Sequence, residues 1–436
     1  MSRAGAALRT LFGAREGEER AVLVAFLYFF LLLSSYYLLR PVRDAMGASA
    51  GIGRMPWLFT ATFVVMLAIT PIFGILVSRI QKRRLLPVVY AFFALNLMGF
   101  AAAFSLDPGS AATASAFFVW LSVFNFFVVS VFWSFMADVF RGEEAKRLFG
   151  PIAAGGSTGA IVGPVLTQAL VESIGVAGLV ALSTMLLLGT IPCIRVLGRW
   201  SVARHGDPPG IAPDSTSPIG GRALAGIVIL ARSPYLLGIA SVIVIGSVAG
   251  TFMYLELLEL AAARHPDAAG RTGFFARLDL AVNLLSLVLQ GFIATRIIRR
   301  FGVTGGLICM PLVALASFVW LVLAPFLMTL AVSQVLRRAG EFGIGKPARE
   351  VLFTAVDPEA KYKAKNVIDT VVQRGGDMGA SWLHGALNAV GTSLAGFAAA
   401  SAALMAVLVG IGVALGRGYS RREPAPAARA SAQARA

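Results

Sequence analysis

Long apolar stretches alternate with short polar ones along this chain. Clear apolar runs cover 21–45, 55–77, 85–105, 115–139, 150–171, 174–197, 234–258, 273–295, 303–323, 370–391 and 393–415. Each is long enough for a helix to cross the hydrocarbon core of a bilayer, which takes about 20 residues. None alternates at period two, which excludes a transmembrane β-barrel. The stretch 324–369 begins apolar and then fills with charge. Hydropathy alone reads it as a short helix followed by a long basic loop.

An internal repeat changes that reading. Gly74-Ile-Leu-Val-Ser-Arg79 matches Gly291-Phe-Ile-Ala-Thr-Arg296, and a basic cluster follows both. Glu144-Ala-Lys146 matches Glu359-Ala-Lys361. Gly155-Gly156-x-x-Gly159-Ala160 matches Gly375-Gly376-x-x-Gly379-Ala380. The offsets are 217, 215 and 220 residues, in the same order. The halves therefore read as two parallel six-helix repeats, the arrangement of the major facilitator fold. The span 115–139 maps onto 330–354, which becomes the missing helix. The expected architecture is an all-α membrane protein with twelve transmembrane helices. Its parts are an N-terminal bundle over 1–198, a cytoplasmic linker over 199–222, a C-terminal bundle over 223–416 and a disordered cytoplasmic tail over 417–436.

Composition agrees with this. Hydrophobic residues make up 57% and charged residues 14%, against roughly 45–50% and about 25% in soluble domains. A soluble enzyme, a disordered chain and a collagen-like fibre are excluded. The net charge is +16. In a soluble protein that would suggest nucleic acid; here the basic residues sort into alternate loops. Arg79, Lys82, Arg83 and Arg84 follow the second run, Arg141, Lys146 and Arg147 the fourth, and Arg296, Arg299 and Arg300 the eighth. The loops near Asp107 and Glu172 hold no Lys or Arg. Cytoplasmic loops collect Lys and Arg, so both termini are expected in the cytoplasm, in a bacterial-type inner membrane. Cys193 and Cys309 suggest no disulfide framework. His205, His265 and His384 have no metal-ligand spacing. No nucleophile–base pair or phosphate-loop motif stands out, so neither enzyme activity nor a cofactor is expected. Gly150, Gly155, Gly159 and Gly163 read as a small-residue face for close helix packing.

The candidate chemistry lies in charges inside the spans. An Arg or Lys at the bilayer centre costs about 2.5–3.5 kcal/mol even on the lenient insertion scale. Arg337, Arg338, Lys346 and Arg349 on a lipid face would together cost on the order of 10 kcal/mol, comparable to whole-domain stability. They must line a wet path, pair with acids or lie near the cytoplasmic end. Within one helix, Arg337 is spaced to pair with Glu341 and Lys346 with Glu350. Arg40 and Arg43 share a face at the end of the first span, next to Asp44. Arg277 is free to pair with Glu256 across helices, and Arg374 is spaced to pair with Asp377. Guanidinium groups bind phosphate and carboxylate in a fork. The expected ligand is therefore an anionic small molecule, bound by Arg40, Arg43, Arg277, Arg337, Arg338, Lys346 and Arg349. Asp44, Asp138, Glu256, Glu341 and Asp377 are the candidate coupling or counter-charge groups.

Three segments carry a family resemblance. Phe132-Trp133-Ser-Phe135-Met-Ala-Asp138-Val-Phe-Arg-Gly-Glu143-Glu144-Ala145-Lys146-Arg147 resembles the end of the fourth helix of the nucleotide (ATP/ADP) antiporters of plastids and intracellular bacteria. The run from Lys346-Pro347-Ala-Arg349-Glu350 through Asp369 to Arg374 is similar to that family's helix ten–eleven region. Leu39-Arg40-Pro-Val-Arg43-Asp44 resembles its Arg-x-x-Lys-Asp motif. The chain departs from the pattern at Phe59, where those antiporters usually carry a lysine. The resemblance implies a major-facilitator-like fold, nucleotide exchange across a membrane, and phosphate-facing roles for Arg40, Arg43, Lys346 and Arg349.

The expected protein is thus a secondary active transporter for an anionic solute, nucleotide exchange included. It works by alternating access, as a monomer surrounded by lipid. Two alternatives are a proton-coupled permease for another organic solute and a non-transporting membrane sensor or scaffold.

Overall fold

The computed structural model describes residues 14–79, 82–206, 219–357, 364, 365 and 367–422. Among them there is no strand. The helices are α1 Glu19–Ala50, α2 Met55–Arg79, α3 Lys82–Leu106, α4 Ala111–Val139, α5 Glu143–Leu188, α6 Thr190–His205 and α7 Ile219–Arg232. They continue with α8 Pro234–Arg264, α9 Ala268–Val288, α10 Thr295–Leu323, α11 Leu327–Gly340, α12 Lys346–Leu352, α13 Gln373–Ala389 and α14 Leu394–Arg422. Three π-helical turns interrupt the second half: Leu289–Ala294, Glu341–Gly345 and Ile368–Val372.

The stretch that hydropathy leaves as a loop is helical. α11, a π turn, α12 and a short 3-10 turn follow one another without a break from Leu327 to Ala355. Expected boundaries move in two places. Helix α6 continues to His205 and α7 begins at Ile219, so the ends of the linker are helical. Helix α14 runs to Arg422, beyond the expected end at 416. Expectations placed on 207–218, on Glu359 and Lys361, and on the tail from 423 lie outside the described residues.

Two long helical stretches are broken by glycine. Gly175 has φ 65° and ψ −174°, and Gly302 has φ 67° and ψ −173°. A side chain is strained at such a φ, and glycine is not. Gly391, which separates α13 from α14, has φ 81°. It stands one repeat length after Gly175, so the same backbone break occurs at the same point of both halves.

The chain divides into two compact units, Met1–Ser217 with Leu258–Asn283, and Pro218–Leu257 with Leu284–Ala436. In the first, α1 lies against α5 at backbone distance. A Cβ on Gly155 would stand 2.3 Å from the Phe26 carbonyl oxygen, and one on Gly159 2.5 Å from that of Phe30. Gly150 has open space around it, so the packing face begins at Gly155. Lipid tails are as apolar as leucine, so membrane helices associate through such close contacts and through polar cross-links. The cross-links are present: Ser35 Oγ and Ser183 Oγ are 2.7 Å apart, and Thr167 Oγ1 donates to the Leu38 carbonyl at 2.8 Å. The aromatic motif of α4 belongs to this core. Phe132 stacks on Phe29 with centroids 4.0 Å apart, and Phe135 is fully buried.

The second unit gathers Tyr235, Ile239, Leu307, Leu352, Phe353, Ile368 and Leu415 into one core. Tyr235 donates its hydroxyl to the Leu352 carbonyl at 3.0 Å. Along α3 of the first unit, Val88, Phe92, Leu95 and Met98 are exposed. Their spacing of three and four residues makes one stripe, the face a multi-pass protein presents to lipid. Eight helical stretches of the described residues are long and apolar enough to cross a membrane.

Candidate solute-binding site

The charged residues fall into two sets, one in each unit. In the first, α1 carries Arg40 and Arg43 three residues apart, with Pro41 between them inside the helix. Arg40 Nη1 donates to Asp279 Oδ1 on α9 at 2.7 Å. Asp279 is 1% exposed. Arg43 donates to Asp44 Oδ1 from Nη2 at 2.6 Å and from Nε at 3.0 Å, and its Cζ stands 5.3 Å from the Phe118 ring centroid. Phe59, at the position of the family's lysine, packs on the same Phe118 with centroids 6.1 Å apart. Arg277 is exposed, while Asp279 two positions on is buried, as helical spacing requires. Asp138 is half-buried near the end of α4.

In the second unit the pairs expected within one helix are replaced. Arg349 Nη1 donates to Glu341 Oε1 at 2.7 Å, and Glu350 accepts from Lys365. The π turn at Glu341–Gly345 accounts for the first of these pairs. Two α-helical turns span about seven residues, and a π turn adds one. Residues eight apart across the bulge therefore face the same way, so Glu341 meets Arg349. Arg337 Nε donates instead to Gln334 Oε1 at 3.0 Å. Its guanidinium crosses α8 at Gly250, where a Cβ would stand 2.9 Å from Nη1. Arg338 is buried and Lys346 is exposed. Arg374 and Asp377 pair at 3.6 Å, as their spacing predicts.

Glu256 is not matched with Arg277. Its carboxylate Oε1 lies 2.8 Å from His384 Nε2 on α13. Several partners escaped sequence reasoning for one reason. Asp279 is 239 residues from Arg40, and His384 is 128 residues from Glu256. No periodicity connects such distant positions.

A hollow of about 340 Å³ in the first unit is lined by Met46, Phe104, Pro108, Ile174 and Ala268. Ser105 also lines it, and no Lys or Arg does. The chemistry suited to an anion is the guanidinium groups, of which Arg40, Arg43 and Arg349 are held by an acid and Arg337 by the Gln334 amide.

No family model matches the chain. ADP,ATP carrier protein 1 of Chlamydia muridarum (strain MoPn / Nigg) is 24% identical over 431 residues, covering 84% of this chain and 82% of the carrier. The ADP,ATP carrier protein 1 of Chlamydia trachomatis is 23% identical with the same coverage. The chain is a distant relative of these carriers. Among solved structures, a bacterial homologue of the iron transporter ferroportin has a TM-score of 0.66 at 12% identity, covering 91% of this chain and 98% of that one. The POT family transporter PepTSo has a TM-score of 0.63 at 13% identity, covering 93% and 99%. The nucleoside transporter NupG has a TM-score of 0.59 at 12% identity, covering 92% and 99%. The fold is that of the major facilitator transporters.

Proposed function

We propose that this protein is a secondary transporter that exchanges nucleoside di- and triphosphates, or a closely similar anion, by alternating access. The likeness to ADP,ATP carriers over 84% of the chain carries this reading. The charges support it. Arg40, Arg43, Arg337, Arg338 and Arg349 stand on helices inside the protein, where a guanidinium is retained at a cost unless it does work. Lys346 and Arg277 add exposed cations. Phosphate is recognised by such forks and point charges. In the first unit Asp44 holds Arg43, and in the second Glu341 holds Arg349 and Asp377 holds Arg374, each until an anion takes the acid's place. Asp138 and Glu256 are the acids left for coupling.

Twelve crossings are the natural count for this chain. Two of the eight apolar stretches, Glu143–His205 and Ala268–Leu323, are 63 and 56 residues long and are broken at Gly175 and Gly302. Each is long enough for two crossings of about 20 residues. The charged helical stretches 327–355 and 367–389 supply the remaining two. The repeats 1–198 and 223–416, joined by the linker 199–222 and followed by the tail 417–436, complete this reading. The protein acts as a monomer in a bacterial-type inner membrane with both termini in the cytoplasm.

The test is counterflow. Purified protein in liposomes loaded with unlabelled ATP should accumulate labelled ADP from outside with no ion gradient. Empty liposomes, and liposomes loaded with glucose, should not. Equal uptake into all three would reject nucleotide exchange.

A further inference from the structure

Six arginines gather at one end of the second unit. Arg296, Arg299 and Arg300 lie where α10 begins, before the break at Gly302, and Arg417, Arg421 and Arg422 lie where α14 ends. All six are exposed. Packing brings the two groups together. Gly412 of α14 faces Ile308 of α10, and Gly416 faces Thr304. Four residues forward on one helix are four back on the other, so the pair runs antiparallel. The arginines after Gly416 therefore come level with those before Gly302. Aromatic rings stand among them. Arg422 Cζ lies 4.4 Å from the Tyr235 ring centroid, and Arg300 Cζ lies 5.7 Å from that of Phe301. Phe301 and Phe292 are each 63% exposed.

These charges work against their own helices. Arg296 and Arg300 are four apart, as are Arg417 and Arg421, and like charges at that spacing repel. Among the described residues no acid forms an ion pair with any of the six. The acids of the same unit are used elsewhere: Glu341 meets Arg349, Glu350 meets Lys365 and Asp377 meets Arg374. The counter-charge at this end is left to come from outside the chain. Orientation in the membrane needs only that Lys and Arg be present in a loop. It does not need two segments more than a hundred residues apart to converge beside aromatic rings.

We propose that this end of the second unit binds an anionic phospholipid. Its phosphodiester is held by the arginines, since guanidinium groups bind phosphate in a fork. Its acyl chains pass the exposed Phe292, about one helical turn before Arg296 and so deeper in the bilayer. In the orientation proposed above this is the cytoplasmic end, where the leaflet carries anionic lipid that attracts basic residues. A soluble phosphate shares the headgroup chemistry and leaves the phenylalanines uncovered, which favours the lipid. Such a lipid joins α10 to α14. The inference goes beyond nucleotide exchange and stands whatever the cargo is.

The experiment titrates full-length protein in nonionic detergent with phosphatidylglycerol or phosphatidylcholine and counts bound lipid by native mass spectrometry. Wild type should bind phosphatidylglycerol at least about tenfold more tightly. Equal binding of the two lipids would overturn the proposal, and this comparison needs no variant. The triple variant Arg299→Gln, Arg300→Gln, Arg421→Gln should bind phosphatidylglycerol roughly a hundredfold more weakly, about fivefold for each arginine removed. A control triple variant, Arg141→Gln, Arg195→Gln, Arg199→Gln, removes the same charge from exposed positions of the first unit. It should bind as wild type does. A monodisperse elution profile checks that both variants fold. Equal losses in the two variants would mean that net charge alone attracts the lipid, and would overturn the site. Inorganic phosphate and ADP, each in large excess, should leave the lipid bound. Displacement by either would assign the arginines to a soluble phosphate and reject the lipid.

Discussion

Arg349 concentrates the argument at the scale of single residues. Its partner Glu341 is 41% exposed. Exposed ion pairs contribute about 0–1 kcal/mol, so Arg349→Gln should shift the detergent melting temperature little. A solute phosphate bound by the same guanidinium loses a charge-assisted hydrogen bond, about 1.5–3 kcal/mol. Half-saturation for labelled ADP counterflow should therefore rise by roughly ten- to a hundredfold. Arg349→Lys should fall between the two, because a point charge does not reproduce a fork. A large loss of thermal stability with unchanged half-saturation would make Arg349 a structural residue. The charged residue types were legible in the sequence, and of the expected partners Arg374 with Asp377 held while those of Arg337, Lys346 and Arg277 did not. The expected Lys346–Glu350 pair gave way to Lys365–Glu350, whose partners are fifteen residues apart and share no helical spacing.

At the scale of elements, the glycine face of α5 decides how closely α1 approaches. Gly159→Ala puts a Cβ 2.5 Å from the Phe30 carbonyl oxygen. Overpacking of this kind costs about 1–3 kcal/mol, which should appear as a lower melting temperature. Gly150→Ala, one of the same apparent stripe, meets open space and should leave the melting temperature unchanged. Equal effects of the two would remove the packing account. The loop before α9 offers a pH-dependent case. Asp267 accepts from the Gly270 N–H at 2.5 Å, and this hydrogen bond holds its carboxyl below the ordinary carboxylate range. A carboxylate so held contributes stability above its unfolded value, and that contribution is lost as pH falls through the native value. The stability gap between wild type and Asp267→Ala should thus be widest near neutrality and close as pH drops below about 4. A gap independent of pH would mean that the carboxylate charge is not what matters.

At the scale of the whole molecule, the repeat and the loop charges predict orientation. In a Cys193→Ser, Cys309→Ser background, Gly109→Cys should react with a membrane-impermeant maleimide added to intact cells. Ser215→Cys in the linker should react only after the membrane is opened. The reverse pattern would invert the protein. The repeat itself has a structural signature in Gly175 and Gly391, which break their helices with φ 65° and 81° at matching points of the two halves.

The linear chain determined the solvent this protein lives in, its helical class and the presence of a helix at 330–354. Each follows from a local quantity: the length of an apolar run, the spacing of a motif, the insertion cost of a charge. Tertiary structure alone decided which acids hold Arg40 and Arg349, which glycines face a neighbouring backbone and that His384 meets Glu256. Those outcomes depend on helix rotation and on contacts between positions more than a hundred residues apart, such as Arg40 with Asp279. Rotation is reset by a single π turn or a single glycine break, and hydropathy carries no record of either.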